Sequence, residues 1–162
     1  MHYVHHHCVR NREFLAHFPD RLILTSGQFR IAGGHEPGPK LARREVPYLR
    51  KRKGRIVNMG SLGGLRPWAT HAHYCSSKAA LHMLTKVMAK ALAPEIAVNS
   101  VAPGMIDLGE TSAAAFMRRM AKQTPMRRNG SADEIATAVM FFATAPHFVT
   151  GQILAVDGGL GL

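Results

Sequence analysis

Two cysteines, Cys8 and Cys75, are too few for a disulfide framework in a chain of 162 residues. No apolar run approaches the roughly 20 residues of a membrane-spanning helix; the longest, near residues 138–145, is far too short. The first residues show neither the apolar stretch nor the small-residue cleavage site of a secretory signal. There are no internal repeats. These absences leave a single domain in the cytoplasm as the expectation, with no membrane partner. At 46% hydrophobic residues the chain has enough apolar material to bury a core.

Acidic residues are also scarce, 10 Asp and Glu against 21 Lys and Arg. A net charge of +11 raises the question of nucleic acid. The excess is uneven, however. Residues 1–53 hold 11 basic and 4 acidic side chains; residues 54–162 hold 10 and 6. The basic run Arg50-Lys51-Arg52-Lys53 is short and falls where a helix should end, a place that favours cations. A basic patch alone supplies only non-specific affinity. A nucleic-acid-binding module is therefore a remote third reading, and no nucleic-acid partner is expected.

What is present centres on Gly54–Lys78, GRIVNMGSLGGLRPWATHAHYCSSK. Residues 55–59 form a short apolar run that reads as a buried strand. Gly60-Ser61 breaks it, and a loop with glycine and proline leads to a helix starting close to Tyr74. Tyr74 and Lys78 are four apart, so they share one helix face. Ser61 sits at the strand end, which in a parallel α/β sheet opens onto the ligand crevice. A hydroxyl, a phenol and an ammonium can thus converge. A free phenol titrates near 10, too high for efficient proton transfer at neutrality, and a fixed cation nearby lowers that value. Such a phenol can protonate a carbonyl oxygen that receives hydride, while Ser61 hydrogen-bonds the same oxygen. A Tyr and a Lys at this spacing occur by chance in many helices; the serine and the preceding strand make the set informative.

Taken together, Ser61, Tyr74-Cys-Ser-Ser-Lys78, Asn99-Ser-Val-Ala-Pro103-Gly104 and Thr150-Gly151-Gln152 with Val156-Asp157-Gly158-Gly159 resemble the short-chain dehydrogenase/reductase family. The resemblance runs from about Val46 to Leu162. It implies an α/β fold: part of a Rossmann-type, doubly wound parallel sheet with flanking helices. It implies NAD(P)-dependent reduction of a carbonyl or oxidation of an alcohol on a small-molecule substrate. Tyr74 would be the general acid/base and Lys78 would tune it while holding the nicotinamide ribose. Ser61 would stabilise the substrate oxygen. Backbone groups around Pro103, Gly104, Met105 and Ile106 would hold the carboxamide of NADP or NAD. No metal is implied. A weak preference, from residues 62–65 and 107–110, is for ketoacyl, pteridine or similar small carbonyl substrates.

The family's glycine-rich turn, TGxxxGxG, and its later NNAG are missing from the sequence. That turn lets backbone and a helix N-terminus approach the pyrophosphate. The family's catalytic Asn, expected near Gly33-Gly34, is missing too. Residues 1–45 are therefore read as an unmatched, irregular or aberrant head. Residues 46–162 are read as the C-terminal part of the domain. Within the head, residues 21–25 are a possible strand, and His5-His6-His7-Cys8 is read as an accidental cluster rather than a metal site.

Further along, a helix is expected over Leu41–Lys53 despite Pro47. Trp68, His71 and His73 are possible substrate contacts. Tyr74–Leu92 reads as the strongest helix. Ala79, Ala80, Met83, Leu84, Val87, Met88, Ala91 and Leu92 give it more than one apolar stripe, which suggests a homo-oligomer contact. Cys75 is read as pointing away from the site. Strands are expected over Ile96–Ala102 and Gln152–Val156. Helices are expected over Glu110–Gln123 and from the capping box Ser131-x-x-Glu134 to about Ala143. Leu108 stands where the family usually has a threonine, with Thr111 as a possible substitute. Two main readings remain open: an active dehydrogenase/reductase, or a truncated and catalytically inactive form that pairs through the Tyr74–Leu92 helix. Half a sheet would expose an edge and apolar faces, predicting poor solubility.

Overall fold

The computed structural model describes residues 22–25, 46–109 and 114–162. Four parallel strands form one sheet: β1 (Leu22–Thr25), β2 (Arg55–Met59), β3 (Ala97–Pro103) and β4 (Ile153–Val156), in the spatial order β1-β2-β3-β4. The expected strands in the 55–59, 96–102 and 152–156 regions are all present, the second lying one residue later and the third starting one residue later. The possible strand over 21–25 is also there, pairing Leu22 with Arg55 and Thr25 with Asn58. Its sequence, Leu-Ile-Leu-Thr, is the unbroken apolar type that suits a parallel strand covered on both sides.

Helices lie on both faces, as in a doubly wound sheet. Residues 46–51 form α1, Ala72–Leu92 form α2, Ala114–Gln123 form α3 and Ala132–Thr144 form α4. Alternation along the strands sorts the core into two layers. Ile56 and Val98 meet Leu49 of α1, Ala89 of α2 and Ile96 on one face. Val57, Met59 and Val101 meet Ile135, Ala138, Val139 and Phe142 of α4 on the other. Ile56, Val57, Val98 and Val101 have no exposed surface. Each contributes about 1.5–3 kcal/mol of burial.

Chain ends and turns follow local chemistry. Pro47 lies in α1, and Leu49 packs so tightly beneath Gly54 that a Cβ there would sit 2.5 Å from its side chain. α2 begins at Ala72, two residues before the sequence suggests. Its cap position, His71, makes no side-chain capping bond, so nothing local marks the start. The Ser131–Glu134 capping box is formed in both directions and opens α4. The motif residues Asn99 and Thr150 act as staples. Asn99 donates to the Val149 carbonyl and accepts from Gln152 N–H, and the Thr150 hydroxyl accepts from Val98 N–H. They lock β3 against the segment entering β4.

Because all four strands run the same way, their C-terminal ends share one edge. The loops after Met59, Pro103 and Val156 leave from that edge. This is where a parallel sheet presents ligand-binding loops.

Candidate active site

Ser61 leaves the end of β2 and caps a 3-10 turn over Leu62–Gly64. It is 4% exposed. Its Oγ accepts Gly63 N–H at 3.1 Å, which leaves the hydroxyl proton free to donate. Tyr74, in the first turns of α2, is half-buried beside it. The Ser61 side chain lies near enough to the Tyr74 phenol to favour its ionised form. A Cβ on Gly63 would lie 3.0 Å from the Tyr74 ring, so only glycine lets the turn approach the phenol this closely.

The third member of the set, Lys78, lies one turn along the same face. Its Nζ donates to the Met59 carbonyl at 3.0 Å and stands 5.9 Å from the Tyr74 ring centroid. Two of its three N–H donors remain for another partner. Burial lowers the Lys78 pKa.

The electrostatics differ from the sequence expectation. Burial is the largest influence on Tyr74 and raises its pKa above the ordinary phenol value; Cys75 adds to the rise, and Ser61 opposes it. Lys78 does not contribute to lowering it. The ammonium is turned toward the Met59 carbonyl at the strand end, which explains its weak hold on the phenol. Cys75 is also corrected: its Sγ would lie 3.5 Å from a Cβ on Gly63, on the same side as the Tyr74 ring.

The second expected cluster follows β3. Gly104 packs against Asp157, where a Cβ would fall 2.7 Å from the Asp157 backbone. The Met105 carbonyl accepts Gly130 N–H, and Asp107 N–H donates to the Gly130 carbonyl, forming a parallel bridge at Ile106. In such a bridge the central residue's own N–H and carbonyl point to the opposite side. Ile106 therefore offers a paired donor and acceptor that, among the described residues, no hydrogen bond occupies. A carboxamide matches that pair. No hydrogen bond among the described residues joins Pro103–Ile106 to Ser61 or Tyr74.

Other candidates separate. Trp68 and His71 stack edge to face at 5.6 Å, and His71 shares a hydrogen bond with Thr70. His73 is exposed in the first turn of α2. Thr111 and the His5–Cys8 cluster lie outside the described residues. Among the described residues no group of three metal-ligating side chains occurs, and no helix is long and apolar enough to cross a membrane.

One residue of the site escaped sequence reasoning. His82, two turns beyond Tyr74, is buried with its Nε2 on the Ser61 amide. A lone histidine in an apolar helix carries no motif; its spacing of four from Lys78, on the inward face, was the available signal.

Residues 39–161 match the family model described as enoyl-(acyl carrier protein) reductase. The chain is 40% identical over 116 residues to the 3-oxoacyl-(acyl-carrier-protein) reductase FabG of Vibrio cholerae, covering 69% of this chain and 48% of that protein. It is 42% identical over 110 residues to carbonyl reductase family member 4 of Danio rerio, covering 67% and 46%. A solved structure from Burkholderia xenovorans, described as a short-chain dehydrogenase/reductase, superposes with a TM-score of 0.70 at 28% identity, covering 94% of this chain and 70% of that one. The chain spans about half the length of the curated relatives it matches.

Proposed function

This chain belongs to the short-chain dehydrogenase/reductase family, and from that membership we propose that its site serves NAD(P)-dependent reduction of a small carbonyl compound, or the reverse oxidation of an alcohol. The observation that carries the reading is the meeting of Ser61, Tyr74 and Lys78 at the C-terminal edge of a parallel sheet, with the Tyr74 ring packed on the turn that Ser61 caps. The names of the relatives, reductases of 3-oxoacyl and carbonyl compounds, agree with a ketone substrate.

The residues fit the nicotinamide end of such a cofactor. The free backbone pair of Ile106, following Pro103, Gly104 and Met105, suits the carboxamide. The spare N–H groups of Lys78 suit ribose hydroxyls, with Tyr74 beside them. When bound, the nicotinamide supplies the hydride. Tyr74, kept protonated by burial, gives its proton to the carbonyl oxygen. The Ser61 hydroxyl can donate to that same oxygen as charge develops there.

Lys78 orients the cofactor sugar and keeps positive charge near the phenol. The exposed stripe Ala79, Met83 and Val87 on α2 supports pairing with a second copy. A cytoplasmic location accompanies this reading.

The sequence supports a second reading as well. Residues 1–162 contain no TGxxxGxG turn, and the alternative is a catalytically inactive relative that keeps the α2 surface. In that reading the family portion is the stretch that the family model matches, residues 39–161.

Binding of NADPH and NADH separates the two. Quenching of the single Trp68, or calorimetry, reads it directly. Saturable binding at micromolar cofactor, followed by carbonyl-dependent oxidation of NADPH, supports the reductase. A folded chain that binds neither dinucleotide refutes it in favour of the inactive relative.

A further inference from the structure

His82 is 4% exposed, and nothing in the proposed chemistry uses it. Its Nε2 accepts the backbone N–H of Ser61 at 3.4 Å. The ring occupies space that only glycine leaves open. A Cβ on Gly60 would fall 2.1 Å from Nε2, and one on Gly64 would fall 2.8 Å from Cε1. The imidazole thus sits between the residue just before Ser61 and the end of the 3-10 turn that Ser61 caps. Side-chain size matters here as much as polarity: the Gly60–Gly64 loop is wrapped around a ring.

An acceptor at Nε2 needs a lone pair there, so the neutral ring carries its proton on Nδ1. Nδ1 is buried and has no hydrogen-bond partner among the described residues. Leaving a buried polar atom unpaired costs free energy, and that cost is offset by what Nε2 holds. Ser61 is kept extended, at φ −168° and ψ 152°, the conformation in which its Oγ reaches Gly63 N–H.

We propose that His82 is a positioning residue for Ser61, its Nε2 fixing the Ser61 backbone so that the hydroxyl stays beside the Tyr74 phenol. The catalytic meaning of this contact rests on the reductase reading; the contact itself does not.

The surroundings keep the ring neutral. Burial lowers the His82 pKa most; the Gly64 backbone raises it, and Lys78 and Lys86 lower it again. The facing residues of β2, the turn and β3 are Gly60, Ser61, Gly64 and Ser100, none of them ionisable. The one charged residue of those elements, Arg55, donates instead to the Phe142 and Ala145 carbonyls. Protonation of Nε2 would remove the acceptor and release Ser61.

Two measurements test this without requiring turnover. The first uses the unaltered chain: imidazole nitrogen NMR should show His82 with its proton on Nδ1 and a bare Nε2. A proton on Nε2 at neutral pH overturns the proposal. The second follows the Tyr74 phenol by carbon NMR of labelled tyrosine, assigned by loss of its signal in Tyr74→Phe. His82→Leu should raise the Tyr74 pKa, and His82→Gln, which can still accept, should restore it. In a Ser61→Ala background, His82→Leu should add nothing. An unchanged phenol in His82→Leu, or an equal shift with and without Ser61, overturns the proposal. If the chain turns over substrate, His82→Leu should lower kcat on the order of 10-fold with KM little changed. A chain that shows the expected NMR behaviour yet binds no dinucleotide would refute the reductase reading alone.

Discussion

Asn58 of β2 donates from Nδ2 to Thr85 Oγ1 of α2 at 2.8 Å, with both residues buried. Thr85 in turn donates to the Leu81 carbonyl of its own helix. The serine strand and the tyrosine helix are therefore joined by a buried polar contact, one turn beyond those made by Lys78 and His82. It helps to set where Ser61 meets Tyr74.

Thr85→Val removes that acceptor and leaves Asn58 Nδ2 short of a partner it now has. The expected loss is about 1–3 kcal/mol of folding stability. Urea denaturation followed by circular dichroism measures it. A midpoint equal to that of the unaltered chain would show the contact to be without weight.

Tyr74→Phe keeps the ring and removes the proton donor. Carbonyl reduction should fall by about 10²–10⁴-fold in kcat. Ser61→Ala should cost about 10²–10³-fold. Dinucleotide affinity should change little in Ser61→Ala, since Ser61 addresses the substrate oxygen. Steady-state kinetics with a ketone, beside cofactor titration, separates the two effects.

Burial raises the Tyr74 pKa, so the phenol remains protonated through neutrality. Reduction, which needs the acid, should be flat across the neutral range. Alcohol oxidation, which needs the phenolate, should keep climbing as pH rises into the alkaline range. Ser61→Ala removes the influence that lowers the pKa and should move the oxidation profile further alkaline. Initial rates in both directions against pH provide the check.

Glu134 pairs with Arg128 at 2.6 Å and accepts the Ser131 N–H in the capping box. The Arg128 hydrogen bond is the largest cause holding its pKa down, to about 2 from 4.5. A carboxylate with a depressed folded-state pKa stabilises the fold above the unfolded value and loses that contribution as pH falls. The window is from about 4.5 down to about 2. Arg128→Met should return the Glu134 carboxyl toward its ordinary titration, read by carbon NMR. It should also flatten the acid side of the stability profile.

Met83 and Val87 are 59% and 54% exposed on the outer face of α2. Ala79 continues the stripe one turn earlier. If this face pairs two copies, Met83→Asp with Val87→Asp should convert a dimer to a monomer and leave the helix content unchanged. Light scattering coupled to gel filtration reads the mass. An unchanged mass would place the oligomer contact elsewhere or remove it.

Much of the fold was legible because its determinants are local. The run Ile56-Val57-Asn58-Met59 has the apolar continuity of a strand covered on both faces, and both faces are indeed covered. Ser131 and Glu134 carry the whole of their capping box within four residues. The apolar positions of α2 were visible too, but only the packing divides them. Ala80, Leu84, Met88 and Leu92 turn partly inward, whereas Ala79, Met83, Val87 and Ala91 face outward.

The site was legible as a set of positions and not as an electrostatic arrangement. Helix periodicity alone puts Tyr74 and Lys78 on one face. It does not say where a flexible lysine will end, and the Met59 carbonyl, nineteen residues back, captures the ammonium. Desolvation of Tyr74 likewise depends on what the 3-10 turn lays over it.

By itself, then, the sequence determined strand and helix content, the serine–tyrosine–lysine spacing and the family membership that follows from ordered motifs. Each depends on short-range periodicity or on residue identity. Tertiary structure alone decided that β1 joins the sheet beside β2 and that Asn99 and Thr150 are staples. It also decided that His82 lies beneath Ser61. These are contacts between residues 21 to 53 positions apart, or pairings between strands, and no local pattern encodes them. They arise when two elements are packed against the same sheet.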